Sequence, residues 1–338
     1  MVSVYTKEFF VGADAEAKRG VLKLSYPIKK GVVENWEDME KIWGHIFTNE
    51  LRVDPVEYNI MLTQNLLDPE EENPIHYRQS KEKMAQIMFE TFKVPKLYIA
   101  NPAVLSLYSA GKFTGIVADS GDAVTQFVPI FDGHSISHAI IKFSVAGSDL
   151  TEYMMKLLNE GSGTNFSTAA EKEICKAIKE KVCYVALDFE DELRCVEPFV
   201  YELPDGTQVV VKDQRIKCPE ALFKPAMAGK NGKGFGQICY DSIQKCDIYI
   251  RKDFYNCIVL SGGNTMFNGL PERFTKEMKA LVPESMKEEI KVIASPERKF
   301  AAWIGGSILS SISSFQSEWI TIEEYEEYGT TIIHRKCF

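Results

Sequence analysis

The chain has 338 residues, of which 45% are hydrophobic, and its formal net charge is −9 at pH 7. A chain of this length and composition buries a large core and is expected to divide into at least two domains. The acidic balance disfavours nucleic-acid binding, because no concentration of Lys and Arg is present to replace phosphate counterions. The sequence shows neither a secretory leader nor an apolar run of membrane-spanning length, so a cytosolic location without membrane insertion is expected.

The eight cysteines stand singly, and none forms a C-x-x-C pair. This pattern favours reduced thiols in a reducing compartment over a disulfide framework or a structural zinc site. Cys337, one residue from the end of the sequence, is expected to be the exposed and reactive thiol.

The first hundred residues predict a strand, two helices and an acidic loop. Val21–Pro27 alternates like a half-buried strand. Asn35 is a good N-cap for a helix that runs to Asn49, and a second helix is expected over Lys81–Phe92. Asp68–Arg78 is acidic and contains two prolines, which predicts a surface loop, either a tolerated insertion or a place where a partner binds.

The middle of the sequence predicts a β-hairpin. Two apolar, β-branched runs within Gly115–Pro129 are joined by the turn Asp119-Ser120-Gly121-Asp122. Backbone N–H groups around Ser120 and Gly121 can converge on a phosphate, and Asp119 or Asp122 can hold the hydration shell of a divalent cation. Taken alone, an acidic hairpin tip is more often an ordinary solvated turn.

The second half of the sequence continues this mixed pattern. Helices are expected over Ser148–Asn159 and Ser167–Asp188, followed by a strand pair with its turn at Glu202–Thr207. Gly229–Gly236 is expected to be a flexible, basic glycine loop. Gly262-Gly263 follows an apolar strand, where glycines let a ligand approach the backbone closely.

Longer phrases of the sequence closely resemble actin, in register apart from a few insertions and deletions, from about Val11 to the last residue. The resemblance implies the two-lobed α/β fold that actin shares with Hsp70 and sugar kinases, in which each lobe is a mixed sheet flanked by helices. The phrases that carry the resemblance are Asn35–Trp43, Gly115–Pro129, Asp132–His134, Ala146–Thr151, Trp303–Leu309 and His334–Phe338.

The resemblance also implies the domain division. Residues 1–108 and 300–338 would form the first, smaller lobe, with an outer subdomain at about 1–30. Residues 109–299 would form the second lobe, with its outer subdomain at about 148–235. The first lobe is expected to be incomplete, since the sequence starts after the family's first phosphate hairpin. Its open strand edges would then be covered by another chain or leave the protein marginally folded, unless an upstream exon has been lost.

Actin binds ATP or ADP with Mg²⁺ or Ca²⁺, and the resemblance implies the same cofactors here. Asp119 is expected to face the metal through water. The positions that match the family's nucleotide site are Asp119, Ser120, Gly121, Asp122, Lys179, Glu180, Gly262, Gly263, Met266 and Lys299.

Several positions depart from the family pattern. Pro102 and Gln126 stand where actin has a Gln and a His that order the attacking water, so no catalytic residue is assigned. Ala123 replaces a Gly beside the phosphates, and Phe267 replaces a Tyr near the base. Together with the absent first hairpin, these departures predict weak nucleotide binding and little hydrolysis.

Three functions are compared. The first is a divergent actin-like cytoskeletal protein in the cytoplasm, with actin or like subunits as partners and actin-binding proteins at a barbed-end groove near Tyr108 and Trp319–Tyr325. The second is a non-polymerising pseudo-actin, favoured by the altered loops at 69–78 and 229–236. An enzyme related to sugar kinases or chaperone ATPases is the weakest. The aromatic residues Tyr5, Phe9 and Phe10 mark either an interface or an N-terminal strand.

Overall fold

The computed structural model describes residues 9–65, 74–161, 163–203 and 205–337, and for Pro74 and His76 the backbone alone. The chain divides into two compact units. The first consists of Met1–Ile60, Arg78–Tyr98 and Trp319–Cys337, and the second of Met61–Tyr77, Ile99–Glu318 and Phe338. The lobe boundaries expected from the resemblance stay a prediction.

Helices and strands alternate along the described residues. The α-helices are α1 (Ala13–Ala17), α2 (Trp36–His45), α3 (Pro74–Gln86), α4 (Pro102–Ser109), α5 (Gly147–Gly161), α6 (Ala169–Val182), α7 (Phe189–Cys195), α8 (Gln214–Glu220), α9 (Phe235–Lys245), α10 (Arg251–Asn256), α11 (Leu270–Leu281), α12 (Ala301–Ser311), α13 (Ile322–Tyr328) and α14 (Ile333–Lys336). The strands are β1 (Ile28–Lys29), β2 (Val32–Val33), β3 (Ile60–Thr63), β4 (Lys96–Ala100), β5 (Gly115–Ser120), β6 (Thr125–Phe131), β7 (His134–Ser135), β8 (Ile141–Phe143), β9 (Phe199–Glu202), β10 (Gln208–Val211), β11 (Ile258–Ser261), β12 (Val292–Ile293) and β13 (Ile320–Thr321). A search of these helices finds none with the length and apolar character needed to cross a bilayer.

The second unit is built on a mixed sheet. Its strand order is β12-β11-β5-β6-β7, with β8 also paired to β6. β5 lies parallel to β11 and antiparallel to β6. Because successive side chains point to opposite faces, Ile116 and Ala118 pack into the larger core, while Val117 and Val259 pack with Leu107 of α4 on the other face.

Phe235 is fully buried in the larger core. Its ring lies 4.7 Å from that of Phe127 and 5.2 Å from that of Phe274. Phe235 also begins α9, and its N-cap Gly234 is so close to Phe223 that a Cβ there would lie 2.2 Å from the Phe223 carbonyl oxygen. The expected flexible loop over Gly229–Gly236 is therefore wrong at its end, because an aromatic anchor holds it.

The basic residues of that loop are also paired. The Nζ of Lys230 lies 2.6 Å from a carboxylate oxygen of Asp149, and the Nζ of Lys233 contacts Asp241. These ion pairs connect the loop to α5 and α9.

In the first unit, α2 begins as the sequence predicts. The side chain of Asn35 accepts a hydrogen bond from the Asp38 N–H, and the helix continues as a π-helical segment over Ile46–Leu51. The expected strand over Val21–Pro27 is wrong. Those residues have no strand pairing, Val21 is 86% exposed, and the extended structure begins instead at Ile28 with the two-residue pairing of β1 and β2.

Two expected element boundaries are also wrong. Pro74–Arg78 lies within α3 and not in a loop, because proline is tolerated in a first helical turn. Of the expected acidic loop, residues 68–73 lie outside the described residues, as does Tyr5. The helix expected over Ser167–Asp188 ends at Val182, where the chain becomes extended and Val185 N–H donates to the Asn268 carbonyl oxygen at 2.8 Å.

The cysteine expected to be reactive is buried. Cys337 is 3% exposed, and its carbonyl oxygen accepts from Lys81 Nζ at 3.0 Å. Cys195, at the end of α7, is the exposed thiol among the described residues. The position of Cys337 near the end of the sequence is outweighed by its packing in the first unit.

Gly305 sets the approach of α12 to α4. A Cβ at Gly305 would lie 1.8 Å from the Leu105 carbonyl oxygen, whereas a Cβ at Gly306 meets only side chains, Met61 Sδ at 3.4 Å being the nearest. We expect Gly305→Ala to destabilise the protein by about 1–3 kcal/mol or more, because backbone must shift to admit the methyl group.

Gly306→Ala on the same helix is the matched control, and it is expected to be neutral or up to about 1 kcal/mol stabilising, because Ala favours helix over Gly. Urea unfolding followed by circular dichroism compares the two variants. Equal midpoints for both would contradict the role assigned to Gly305.

Candidate functional site

The predicted β-hairpin is confirmed. β5 and β6 pair in register from Gly115 with Ile130 to Ser120 with Thr125, and Gly121 N–H closes the turn on the Val124 carbonyl oxygen at 2.9 Å. The turn lies at the carboxyl end of β5, and Gly262 follows the carboxyl end of the neighbouring parallel strand β11. Ligands of open α/β sheets characteristically bind at such an edge.

Hydrogen bonds from two other elements fix the carbonyl groups of this turn. The Gly121 carbonyl oxygen accepts from Gly147 N–H at 2.9 Å and from Asn264 Nδ2 at 2.8 Å. The Asp122 carbonyl oxygen accepts from Ser148 N–H at 2.8 Å. Gly147 permits this contact, since a Cβ there would lie 2.9 Å from Asp122 Cα. The turn is therefore attached to the first residues of α5.

Fixing these carbonyl groups also orients the N–H groups that follow them. In a planar trans peptide the C=O and the next N–H point in opposite directions, so the N–H groups of Asp122 and Ala123 point away from α5. In the part of the chain that the structure describes, the N–H groups of Asp122, Ala123 and Val124 donate to no backbone acceptor. Consecutive free N–H groups form an anion-binding concavity.

The phosphate donors expected around Ser120 and Gly121 are therefore displaced along the chain. Gly121 N–H is used within the turn. The Thr125 hydroxyl donates to the Val145 carbonyl oxygen, so the Ser120 hydroxyl donates to Thr125, and it accepts from Asn264. Ser120 supports the turn and has no free donor for a ligand.

Asp119 lies one residue inside the hairpin, on the face of the sheet that packs on α4. Its neighbours in register are Ser261 on β11 and Gln126 on β6. Burial raises the pKa of the Asp119 carboxyl, and a hydrogen bond with the Ser261 hydroxyl opposes that rise. The Ser261 hydroxyl is also 2.9 Å from Ser106 Oγ on α4. The Asp119 side chain is half-buried, and carboxyls of raised pKa are common at functional sites.

Buried amide groups without a protein partner lie in the same unit. Gln126 is 3% exposed, and its Nε2 has no partner among the described residues; the same holds for Asn101 Nδ2 and Gln64 Oε1. Such atoms are rare in folded proteins and indicate a place for water, an ion or a ligand. Pro102, which follows Asn101, occupies the first turn of α4, and the Asn101 side chain accepts from Ala103 N–H at 2.8 Å.

The two predicted glycines have different roles. Gly262 has φ +88°, and a Cβ there would lie 2.3 Å from the Ser120 carbonyl oxygen. The close approach at Gly262 is thus made by protein backbone, and a ligand contact at this residue stays a prediction. A Cβ at Gly263 would meet nothing within 4 Å, so the approach to the backbone is open at that residue.

Lys179 is buried, and two protein oxygens accept hydrogen bonds from its ammonium group. Its Nζ donates to the Gly147 carbonyl oxygen at 2.8 Å and to Thr151 Oγ1 at 2.9 Å. Burial lowers the pKa of Lys179, and the nearby Cys218 and Asp122 oppose this. Glu180, the next residue of α6, is exposed.

The remaining predicted positions follow β11 and precede α12. Met266 is half-buried at the end of a short 3₁₀ helix, and Lys299 is exposed with its Nζ 5.9 Å from the centroid of the Phe300 ring. Gly262 N–H donates to the Arg298 carbonyl oxygen at 3.1 Å, which brings the residue before Lys299 next to the glycine turn. Phe267 is buried in the larger core.

Two supporting residues were missed by the sequence analysis. Asn264 bonds to both Ser120 and Gly121, and the Arg298 guanidinium donates to the Thr265 carbonyl oxygen at 2.7 Å. Asn264 is a polar residue directly after a glycine turn, which was a usable signal. The sequence contained no signal for Arg298, because the adjacent Lys299 carries the same charge and the two residues could not be distinguished.

An apolar groove of 480 Å³ lies elsewhere in the second unit. Tyr108, which the sequence analysis assigned to a partner surface, lines it together with Ile308, Ile312 and Phe315. Residues of the segment Trp319–Tyr325 that were assigned to the same surface are packed in the first unit, where Trp319 is 3%, Ile320 0% and Tyr325 9% exposed.

The second unit is a mixed α/β unit in which the free N–H groups of the hairpin and the open residue Gly263 lie at one edge of the sheet, the kind of edge at which open α/β proteins bind ligands. The family model described as Actin matches residues 2–338. The chain belongs to the actin family, whose members bind ATP or ADP with a divalent metal.

The described residues fit the phosphates of such a nucleotide, because the N–H groups of the hairpin and the open face at Gly263 supply donors and room. Among those residues, no group of three or more His, Cys, Asp or Glu side chains is placed to hold a metal ion directly.

The raised pKa of Asp119 makes stability depend on pH. The pKa of Asp119 is higher in the folded state than in the unfolded state, so the folded state binds a proton more readily. The contribution of Asp119 to the free energy of unfolding is therefore favourable at acid pH and is lost as pH rises through the folded-state pKa. We expect Asp119→Asn to raise the midpoint of thermal unfolding at neutral pH. The difference between the midpoints at neutral and at acid pH should then be smaller than in the unmodified protein.

Asp122→Asn, which changes the same charge at an exposed turn position, is the control. Calorimetric scans at neutral and acid pH compare both variants with the unmodified protein. A lower midpoint for Asp119→Asn at neutral pH would contradict the argument.

Proposed function

We propose that this chain is a divergent actin-like cytoskeletal protein of the cytoplasm that binds ATP or ADP with Mg²⁺ or Ca²⁺ weakly and hydrolyses little of it. The observation that carries the proposal is the row of free backbone N–H groups at Asp122, Ala123 and Val124. Those groups would hold phosphate oxygens, and the bound group would supply an electrophilic phosphorus. Glu180, Met266 and Lys299 would line the adenosine side.

Weak nucleotide affinity is supported by the small number of side-chain donors that the site has free for phosphate. Ser120 and Lys179 already have protein partners, so the phosphates would meet backbone N–H groups without either side chain. A hydrogen bond from a charged group contributes about 1.5–3 kcal/mol, more than one from a neutral group. The raised pKa of Asp119 disfavours the carboxylate form that would hold a hydrated cation. The Cβ of Ala123 also stands beside the free donors.

Low hydrolysis is supported by Pro102 and Gln126. Proline has no side-chain donor or acceptor with which to order water. The Gln126 amide can hydrogen-bond through its unpartnered Nε2, but it cannot accept a proton from water near neutral pH. The site is thus better suited to holding a nucleotide than to cleaving it.

We expect phosphate release from ATP to stay at the buffer blank and calorimetry to give an affinity far weaker than nanomolar. Gln126→His is expected to raise release detectably, since His can take a proton, and Gln126→Asn is the control that adds no base. Nanomolar binding, or turnover by the unmodified protein, would contradict the proposal.

A second function, a non-polymerising pseudo-actin that binds regulators, is favoured by the apolar groove lined by Tyr108 and Ile312. A 480 Å³ groove with few polar atoms can receive a helix or an aromatic anchor of a partner without any polymerisation. The outcome of a pelleting assay separates this function from the first.

Sedimentation in polymerising salt, alone and with actin, is expected to pellet the chain if it is a filament component. Under the alternative it stays soluble yet binds a purified protein that engages the barbed-end groove of actin. Ile312→Asp, 40% exposed in the groove, is expected to abolish that binding, whereas Ile28→Asp, 42% exposed on β1, is expected to leave it intact. If the chain neither pellets nor binds that protein through the groove, both functions are excluded.

A further inference from the structure

A polar pocket of 350 Å³ opens in the second unit, away from the hairpin turn. Three segments form it: the end of α6 with the residues after it, α8, and the chain that leads into α11. The residues of interest in its lining are Lys181, Tyr184, Arg215, Asn268 and Gly269, and no lining residue among those described is a carboxylate.

Backbone contacts hold these three segments together. Tyr184 N–H donates to the Arg215 carbonyl oxygen at 3.2 Å, and Val185 N–H donates to that of Asn268 at 2.8 Å. Gly269 has φ +81°, and a Cβ there would lie 2.2 Å from the Val185 carbonyl oxygen. The pocket is therefore preformed and does not depend on loop closure.

Arg215 is held in one orientation with donors to spare. Its Nε donates to the Val182 carbonyl oxygen at 3.1 Å and its Nη1 to that of Glu197 at 2.8 Å. Its guanidinium lies 5.1 Å from the Tyr184 ring centroid and 5.5 Å from that of Phe199. In the described residues no carboxylate pairs with it, and Nη2 has no acceptor. A guanidinium offers five N–H donors, so most of this one is uncommitted.

Lys181 supplies a second cation. Its side chain is exposed, its Nζ is 5.2 Å from the Tyr201 ring centroid, and no carboxylate pairs with it among the residues described. The carboxylate of Glu192 near the pocket already accepts from the Tyr184 hydroxyl at 2.6 Å. Lys181 and Arg215 therefore place two cations without a carboxylate partner among the described residues in one pocket.

We propose that this pocket binds a phosphate group, free or carried by a small organic molecule. Two cations match the double charge of phosphate, and the fixed guanidinium fork fits two of its oxygens. Asn268 is exposed at the rim and can add an amide donor. The pocket shares no lining residue with the hairpin turn or with the positions predicted to bind the nucleotide.

Calorimetric titration of the nucleotide-free protein with inorganic phosphate and with pyrophosphate tests this. Lys181→Gln and Arg215→Lys are expected to weaken binding by about tenfold or more, as loss of one charge-assisted hydrogen bond does. Lys176→Gln on the same helix makes the same charge change outside the pocket, where Lys176 pairs with Glu173 at 3.8 Å, and is expected to retain the affinity.

Two results would overturn the proposal: no binding of either probe, or binding that Lys181→Gln leaves unchanged, which would place the phosphate elsewhere. Equal losses of affinity in Lys176→Gln and Lys181→Gln would also overturn the proposal, because they would indicate a general electrostatic attraction and not a specific site. Glycerol phosphate and phosphatidylcholine vesicles with or without phosphatidylinositol phosphate distinguish a soluble ligand from a lipid headgroup, and the Lys181→Gln loss is expected with whichever binds.

Discussion

The hydrogen bonds to the Gly121 carbonyl oxygen fix the hairpin turn at the sheet edge of the second unit. This oxygen accepts hydrogen bonds from the first residue of α5 and from Asn264, and Lys179 in turn donates to the Gly147 carbonyl oxygen. Each of these buried groups would cost about 1–3 kcal/mol if left unpaired, so the contacts form or break together. Because the peptide is planar, directing this carbonyl inward also directs the following N–H outward. A structural requirement thereby creates the free donors.

Helix periodicity gives two lysines of α6 different surroundings. Lys179 and Lys181 are two residues apart on α6, and a rotation of about 100° per residue places them on nearly opposite sides of the helix. Lys179 is buried against α5 and stabilises the hairpin turn, whereas Lys181 is exposed and lines the pocket with Arg215. Lys179, which was expected to contact a ligand, donates to two protein oxygens, whereas Lys181 has no carboxylate partner among the described residues.

The sequence predicts elements whose signals are local and fails where distant contacts decide. The hairpin and the Asn35 cap depend on residues within a few positions, and both are present. The end of α6 at Val182 depends on Asn268, and the burial of Phe235 depends on aromatic residues of four other segments, so neither is visible in a local pattern. At the site, Gly262 and Gly263 look alike in sequence, and only the structure separates the glycine that meets backbone from the one that faces open space. The family model bears out the α/β fold and the family predicted from the resemblance.

Asp119 and Gln126 indicate what the sheet edge can do chemically. Opposite residues of an antiparallel pair have Cβ atoms about 4.5–5.5 Å apart on one face, so the half-buried Asp119 carboxyl, whose pKa is raised, stands beside an amide whose Nε2 has no partner among the described residues. An unpartnered donor at such a place is satisfied by an acceptor oxygen, which a phosphate supplies. A neutral amide does not remove a proton from water, and the raised pKa of Asp119 disfavours the charged form of the carboxyl beside it. This pair therefore supports retention of a ligand over its hydrolysis, and it does so through residues whose positions in the sheet are fixed by register.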